Sequence, residues 1–276
     1  MTRLLATAGS AALLLALATT AQAQAQDWSG PYVGVSAGYV AQDSDSSESI
    51  RFDTDLDGRF GDQVNTTTPA NAFSPGFCDG AANTNAPAGG CDDDDDSGFD
   101  GGIRAGYDWQ MGSWVFGIVG EADFVDQSDS VSAFSVTPAS YTMTREVNAV
   151  YALRGRVGYA FDNVLGYVTG GLAMADVDHS FATTNVVNTF VETEGDDPDG
   201  YQLGVGAEMR LADSNWSVGA EYLYTNHDDG DYRVRAQGPA APGNAFLLVN
   251  AAGTDFARSQ EDIELHSFRL TLAYRF

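Results

Sequence analysis

Nine charged residues share one property: each falls on the polar face of a segment in which apolar and polar residues alternate. They are Arg104, Glu121, Asp123, Arg154, Arg156, Glu208, Arg210, Glu221 and Arg269. A period of two sends successive side chains to opposite faces of a strand, so charges of both signs would converge on the inner side of whatever the strands enclose. Guanidinium forks facing carboxylates form bidentate, charge-assisted hydrogen bonds. Two outcomes follow from that chemistry. The charges fill the interior as a salt-bridged plug, or, where gaps remain, they line a narrow water path for small ions.

Other residues offer different chemistry. The stretch DTDLDG places Asp53, Asp55 and Asp57 before Gly58, the first half of a calcium loop, in which hard oxygen ligands gather around one cation. Val64 stands where a bidentate Glu would be required, and no helical pattern flanks the loop. Calcium binding and a solvated acidic loop are the two readings. The run DDDDDSG after Cys91, together with Asp196, Asp197, Asp199, Asp228, Asp229 and Asp231, extends the acidic character. Cys78 and Cys91 are the two cysteines; in an exported chain they predict a disulfide that cinches a long loop. Catalysis would need histidine beside a nucleophile or paired acids. His179-Ser180 and His266-Ser267 are sequence neighbours, but neighbours on a strand point to opposite faces, and the acids next to His227 read as loop charges. No enzyme is expected.

Composition narrows the setting. Asp and Glu number 39 against 13 cations, all of them Arg, for a formal charge of -26. Such a surface excludes nucleic acid as a partner. The N-terminus, MTRLLATAGSAALLLALATTAQAQAQ, has one early cation, a short apolar core and small residues at Ala21 to Ala25, the layout of a cleaved secretory signal. Residues 1–23 are expected to be that signal and 24–276 the mature domain. Beyond it no apolar run approaches the roughly 20 residues of a spanning helix, so any membrane crossing must be made by strands.

Eight segments alternate: Gly30 to Gln42, Gly98 to Met111, Ser113 to Gln127, Arg145 to Phe161, Val164 to Val177, Gly200 to Ala212, Asn215 to Asn226 and the closing HSFRLTLAYRF. Short turns at Gly112, Asp162-Asn163 and Asp213-Ser214 alternate with long polar insertions, Asp43 to Ser97, Ser128 to Thr144, one ending at Asp199, and His227 to Asp262. Gly, Asn and Asp suit tight hairpins, and short turns on one side with long loops on the other are what a membrane barrel requires. Trp109, Trp114, Phe116, Tyr159, Phe161, Trp216, Tyr274 and Phe276 lie beside the short turns; Tyr39, Phe99, Phe124, Tyr201, Tyr222, Tyr224 and Phe268 lie near the long loops. These are two aromatic girdles. A soluble sandwich has no reason to sort aromatics by strand end.

The opening DWSGPYVGVSAGY, the later GYDWQ, LRGRVGYAF and YVTGGLA, and the terminal LTLAYRF together resemble the Gram-negative outer-membrane β-barrel domain family, the OmpA-like and opacity-like eight-stranded surface proteins often described as porin-like. The resemblance covers the strands and not the loops. It implies a barrel in the cell outer membrane with a role between membrane integrity and adhesion, and without the periplasmic domain of OmpA itself. The expectation is therefore all-β: an eight-stranded antiparallel up-and-down transmembrane barrel with long extracellular loops, a charged, plugged interior and a structural or surface-interaction role. A narrow porin and a loop-borne adhesin are the alternatives. The expected partners are outer-membrane lipid and lipopolysaccharide, reached through divalent cations because both surfaces are anionic. No cofactor other than the calcium of Asp53, Asp55 and Asp57 is expected.

Overall fold

The computed structural model describes residues 26–42, 47–92, 98–193, 195, 198–239 and 243–276. The expected signal segment, residues 93–96 of the Asp run, Asp196 and Asp197 lie outside them. Eight long strands form the wall: β1 (Gly30–Gln42), β2 (Gly98–Met111), β3 (Trp114–Ser135), β4 (Ala139–Phe161), β5 (Val164–Thr183), β6 (Asp199–Arg210), β7 (Trp216–Asp228) and β8 (Asp262–Arg275). Each pairs antiparallel with its neighbours in sequence, and β8 returns to β1, with Tyr32 opposite Arg275 and Tyr39 opposite Phe268. The sheet is closed. Hydrocarbon offers no hydrogen bonds, and closure supplies a partner to every wall strand on both edges.

The alternation works as expected. On β8, Phe268, Leu270 and Leu272 are exposed, whereas Ser267, Arg269, Thr271, Ala273 and Arg275 are buried. On β5, where both faces are weakly apolar, Val168, Leu172 and Met174 face outward and Leu165, Tyr167, Ala173 and Ala175 inward. The three short turns carry positive φ at Gly112, Asp162 and Asp213, conformations that Gly and Asp adopt more readily than branched residues. Two inward glycines have a packing reason. A Cβ on Gly106 would lie 2.4 Å from the Tyr32 ring, and one on Gly206 2.5 Å from Tyr167.

The second and third insertions differ from expectation. Ser128 to Thr144 is not a loop, because β3 and β4 continue as one paired ladder to the short turn at 136–138, and β5 runs on to Thr183. Both pairings shift register at the outer rim, between Phe124 and Gln127 and between Val147 and Ala149. Such bulges bend a strand pair without ending it. The polar composition misled because these residues, though outside the membrane, are covered by the other loops.

Those loops form a crown. Ile50–Asp53, Thr254–Arg258, Arg233–Gln237 and Thr189–Thr193 make a four-stranded antiparallel sheet, while Gly76–Asp79 pairs with the upper part of β3. Beneath this sheet lies an aromatic core. Phe52 meets Phe256 edge to face at 5.0 Å, Phe73 meets Tyr141 at 5.3 Å, and Phe181, Phe190 and Phe246 pack around them. Each ring so buried contributes roughly 1.5–3 kcal/mol, which is why the first insertion, including Val64, folds rather than remaining a polar tether. The Cys78–Cys91 disulfide forms, tying Gly76–Asp79 to the short hairpin of Ala81–Ala82 and Cys91–Asp92. By the entropy of closing a loop of this length, Cys78→Ser with Cys91→Ser should cost the crown about 3 kcal/mol. Hydrogen exchange should show this loss at Gly76 to Asp92 and leave the wall amides unchanged.

Candidate functional site

The charged interior consists of tiers. Nearest the short turns, Trp28 is fully buried with Val115, Ala160 and Leu165. Above it Arg156 reaches Asp108 with its Nε at 2.8 Å and Glu208 with its Nη1 at 2.7 Å. Arg275 spans the same two carboxylates at 2.7 and 3.0 Å. Both guanidiniums stack on aromatic faces, Arg156 on Tyr32 and Tyr167, Arg275 on Trp28 and Tyr32. Two cations meet two anions, and the charge closes.

At mid-barrel Arg154 bridges Glu121 and Glu221, and Arg104 lies at 3.4 Å from Glu221 and 3.7 Å from Glu121. Arg269 lies 2.7 Å from Glu121, 2.5 Å from Asp123 and 3.7 Å from Asp100. The Tyr167 hydroxyl donates to Glu221 at 3.3 Å. All of these side chains are buried. Further out the lining is mixed: Val40, Val125, Val147, Val150, Ile263 and Leu265 form an aliphatic cluster, while Gln202, Thr225 and His227 are buried on β6 and β7, with Thr225 opposite Leu265 and His227 opposite Ile263. Beyond it, under the crown, Arg258 grips Glu48 with two nitrogens at 2.6 and 2.9 Å. Arg258 and Arg145 share Asp129 at 2.7 and 2.6 Å. Burial alone would raise Asp129, but the two guanidiniums hold its carboxyl well below the usual range; burial pushes Glu48 up.

Eight of the nine sequence-selected residues therefore meet in the two interior tiers. Arg210 does not. It lies at the short-turn rim, where its Nη1 donates to the Asp27 carbonyl at 2.6 Å, because β6 ends there and its side chain escapes the bore. Three interior charges escaped selection: Asp100, Asp108 and Arg275. A signal was available, since Asp108 and Asp100 share the parity of Arg104, and Arg275 that of Arg269. Their positions near strand ends disguised them.

Asp53, Asp55 and Asp57 are brought together, with one ligand oxygen from each inside a 4.8 Å group. Asp53 nevertheless accepts hydrogen bonds from the N–H groups of Leu56, Asp57 and Gly58, so its carboxylate already folds the turn. The three histidines are apart in role. His179 contacts Asp229 at 3.0 Å and stacks on Tyr232, His266 meets the Tyr222 hydroxyl at 2.7 Å on the outer wall, and His227 is buried in the bore.

The outer wall carries its own pattern. Exposed Trp109, Trp114, Tyr159 and Trp216 ring the short-turn end; exposed Tyr39, Phe99, Phe124, Tyr201 and Phe268 ring the other. Just beyond this outer girdle the outward positions become acidic: Asp126 on β3, Glu146 on β4, Asp176 and Asp178 on β5, Asp199 on β6, Asp228 on β7, and Asp262 and Glu264 on β8. Glu146 stands directly opposite Asp178, and Asp228 opposite Asp262. Like charges so placed repel. This belt was missed in the sequence because its members come from six strands and only closure aligns them.

A closed eight-stranded wall with an apolar exterior, two aromatic girdles and an inner face lined by paired charges is an outer-membrane β-barrel. The comparisons agree. The model of the outer membrane protein beta-barrel domain family matches residues 10–276, and the chain belongs to that family. It is 28% identical to the 31 kDa outer-membrane immunogenic protein of Brucella melitensis over 261 residues, 94% of this chain and 88% of that one. It is 35% identical to the 22 kDa outer membrane protein of Rhizobium leguminosarum over 135 residues, 49% and 56% of the two chains. Among solved structures, OprG of Pseudomonas aeruginosa superposes with a TM-score of 0.46 at 12% identity, covering 90% of this chain and 97% of its own. The protein resides in the outer membrane.

Removing one member of a buried pair costs roughly 3–5 kcal/mol because it strands the partner. Asp129→Asn should lower crown stability by about that amount at neutral pH, read as earlier melting of crown amides. The folded-state value of Asp129 lies below its unfolded one, so its stabilisation is complete above about pH 4 and drains as the pH falls further. The Asn variant should lose that part of the acid sensitivity. Arg154→Met, deep in the wall, should instead lower the unfolding midpoint of the whole barrel.

Proposed function

We propose that this protein is a non-conducting, non-catalytic barrel that strengthens the outer membrane and displays a folded crown at the cell surface. The observation that carries this reading is the mutual pairing of the interior charges: Arg104, Arg154, Arg156, Arg269 and Arg275 each lie between buried carboxylates. An ion following the charges would have to displace a buried group from its partner, and stranding a buried charge is costly. Charges without a wet path are mutual partners rather than a conduit. The test is single-channel recording of refolded protein whose insertion is verified by protease protection. Silence is the expected outcome; discrete, reproducible openings would establish the narrow porin instead.

The acidic belt supports a second part of the reading. Its carboxylates, including the opposed pairs Glu146–Asp178 and Asp228–Asp262, follow the outer girdle into the level of lipid headgroups. Lipopolysaccharide phosphates at that level would be repelled unless divalent cations lie between them. Chelation should therefore lower the melting temperature of the protein in lipopolysaccharide-containing membranes and leave it unchanged in neutral detergent. Equal loss in both media would place the cation inside the protein rather than at the lipid boundary.

A further inference from the structure

The crown sheet ends on an open edge. Thr189–Thr193 pairs with Arg233–Gln237 on one side, and among the described residues no strand pairs with it on the other. The opposite edge strand, Ile50–Asp53, is covered by its own following loop, whose Gly61 and Asp62 N–H groups donate to the Phe52 carbonyl at 2.9 Å. Proteins usually guard an exposed edge with Lys, Pro, a bulge or a covering segment. Thr189–Thr193 has neither Lys nor Pro, and its single charge, Glu192, accepts a hydrogen bond from the Tyr232 hydroxyl at 2.6 Å. Leading into it, Val186 and Val187 are 94% and 57% exposed, and Val191 within it is 47% exposed.

Beside the start of this edge lies a cleft of about 550 Å³, lined among others by Val136, Thr137, Val186, Val187, Asn188 and Phe246. No charged residue lines it, in a chain of formal charge -26. At the other end of the strand stand Glu192 and Asp231, the latter beside Gly195. The neighbouring cations are occupied: Asp255 clamps Arg235 at 2.6 and 2.7 Å, and Arg233 lies over the Phe60 ring.

We propose that Thr189–Thr193 is a docking edge for an extended segment of another protein. The segment adds as a fifth strand to the crown sheet, sets an apolar side chain in the cleft by Val186 and Val187, and carries basic residues toward Glu192 and Asp231. Main-chain hydrogen bonds give such an addition its affinity, and side-chain pockets give it selectivity. Charge argues against a second copy as the occupant, since two chains of -26 repel at close range. The proposal rests on the crown being the interacting part of the protein. Conductance tests that reading separately, because channel openings would overturn the plugged barrel without touching the edge.

The experiment selects random octapeptides displayed on phage against the full chain in lipid nanodiscs, with empty nanodiscs as the counter-selection. Enriched peptides should be apolar at one end and basic at the other, and should slow amide exchange at residues 189–193 at least tenfold. Proline is then placed singly at Val191 and at Glu192. Successive N–H groups point to opposite edges, so one variant removes an outward donor while keeping the ladder to Arg233–Gln237, recognised by wild-type crown melting. That variant, and Val187→Asp, should bind the peptides at least tenfold more weakly. No enrichment over empty nanodiscs overturns the proposal, as does binding without slowed exchange at 189–193. Sedimentation equilibrium that reveals self-association weakened by Val187→Asp would assign the edge to a second copy and overturn it equally.

Discussion

Everything in this molecule depends on closing a ring of backbone hydrogen bonds where no water is available to replace them. The pairing of Tyr32 through Gln42 with Leu265 through Arg275 joins the first strand to the last, and without it two edges would face hydrocarbon. An unsatisfied peptide group there costs several kcal/mol, so partial closure is not a stable option. Closure fixes the bore at a width that eight strands' side chains can fill, and charges buried in so narrow a bore must balance one another.

The charge balance is local. The tier of Asp108, Arg156, Glu208 and Arg275 matches two cations to two anions, with aromatic faces completing the shell of each guanidinium. Buried pairs of this kind add little net stability over well-packed apolar residues, but losing one member is costly. Their effect is therefore to hold the strands to one register: slipping any strand by one residue would send its charges into lipid and its apolar residues into the ionic tiers. All-Arg usage fits this role, since a guanidinium spans two carboxylates where an ammonium provides only a point charge.

Outside the membrane a different economy applies. Water again satisfies exposed backbone, yet the loops do not remain solvated tethers. They bury Phe52, Phe73, Tyr141, Phe246 and Phe256 against one another and seat this core on the ionic group of Glu48, Asp129, Arg145 and Arg258. The extended ladder of β3 and β4 is the post that carries it, and the bulges at the rim give that post its bend. The strongly acidic exterior keeps such a body soluble and discourages self-association.

The sequence by itself determined the wall. Alternation, hairpin turn residues and the sorting of aromatics by strand end are local signals, written every two residues, and they located eight strands, the lipid face and most of the interior charges. Arg210 was misplaced because at a strand end parity no longer says whether a side chain meets the bore or the rim, whereas Asp100, Asp108 and Arg275 carried the right parity and were overlooked. The crown was illegible because its core joins residues as distant as Phe52 and Phe256, each set in a polar stretch that reads as loop. Only the tertiary structure decided that the second insertion continues as strands, that outward carboxylates from separate strands form one belt, and that each interior charge finds its partners on other strands. These features are set by which strands become neighbours around a closed ring, a property of the whole circuit that no single segment carries.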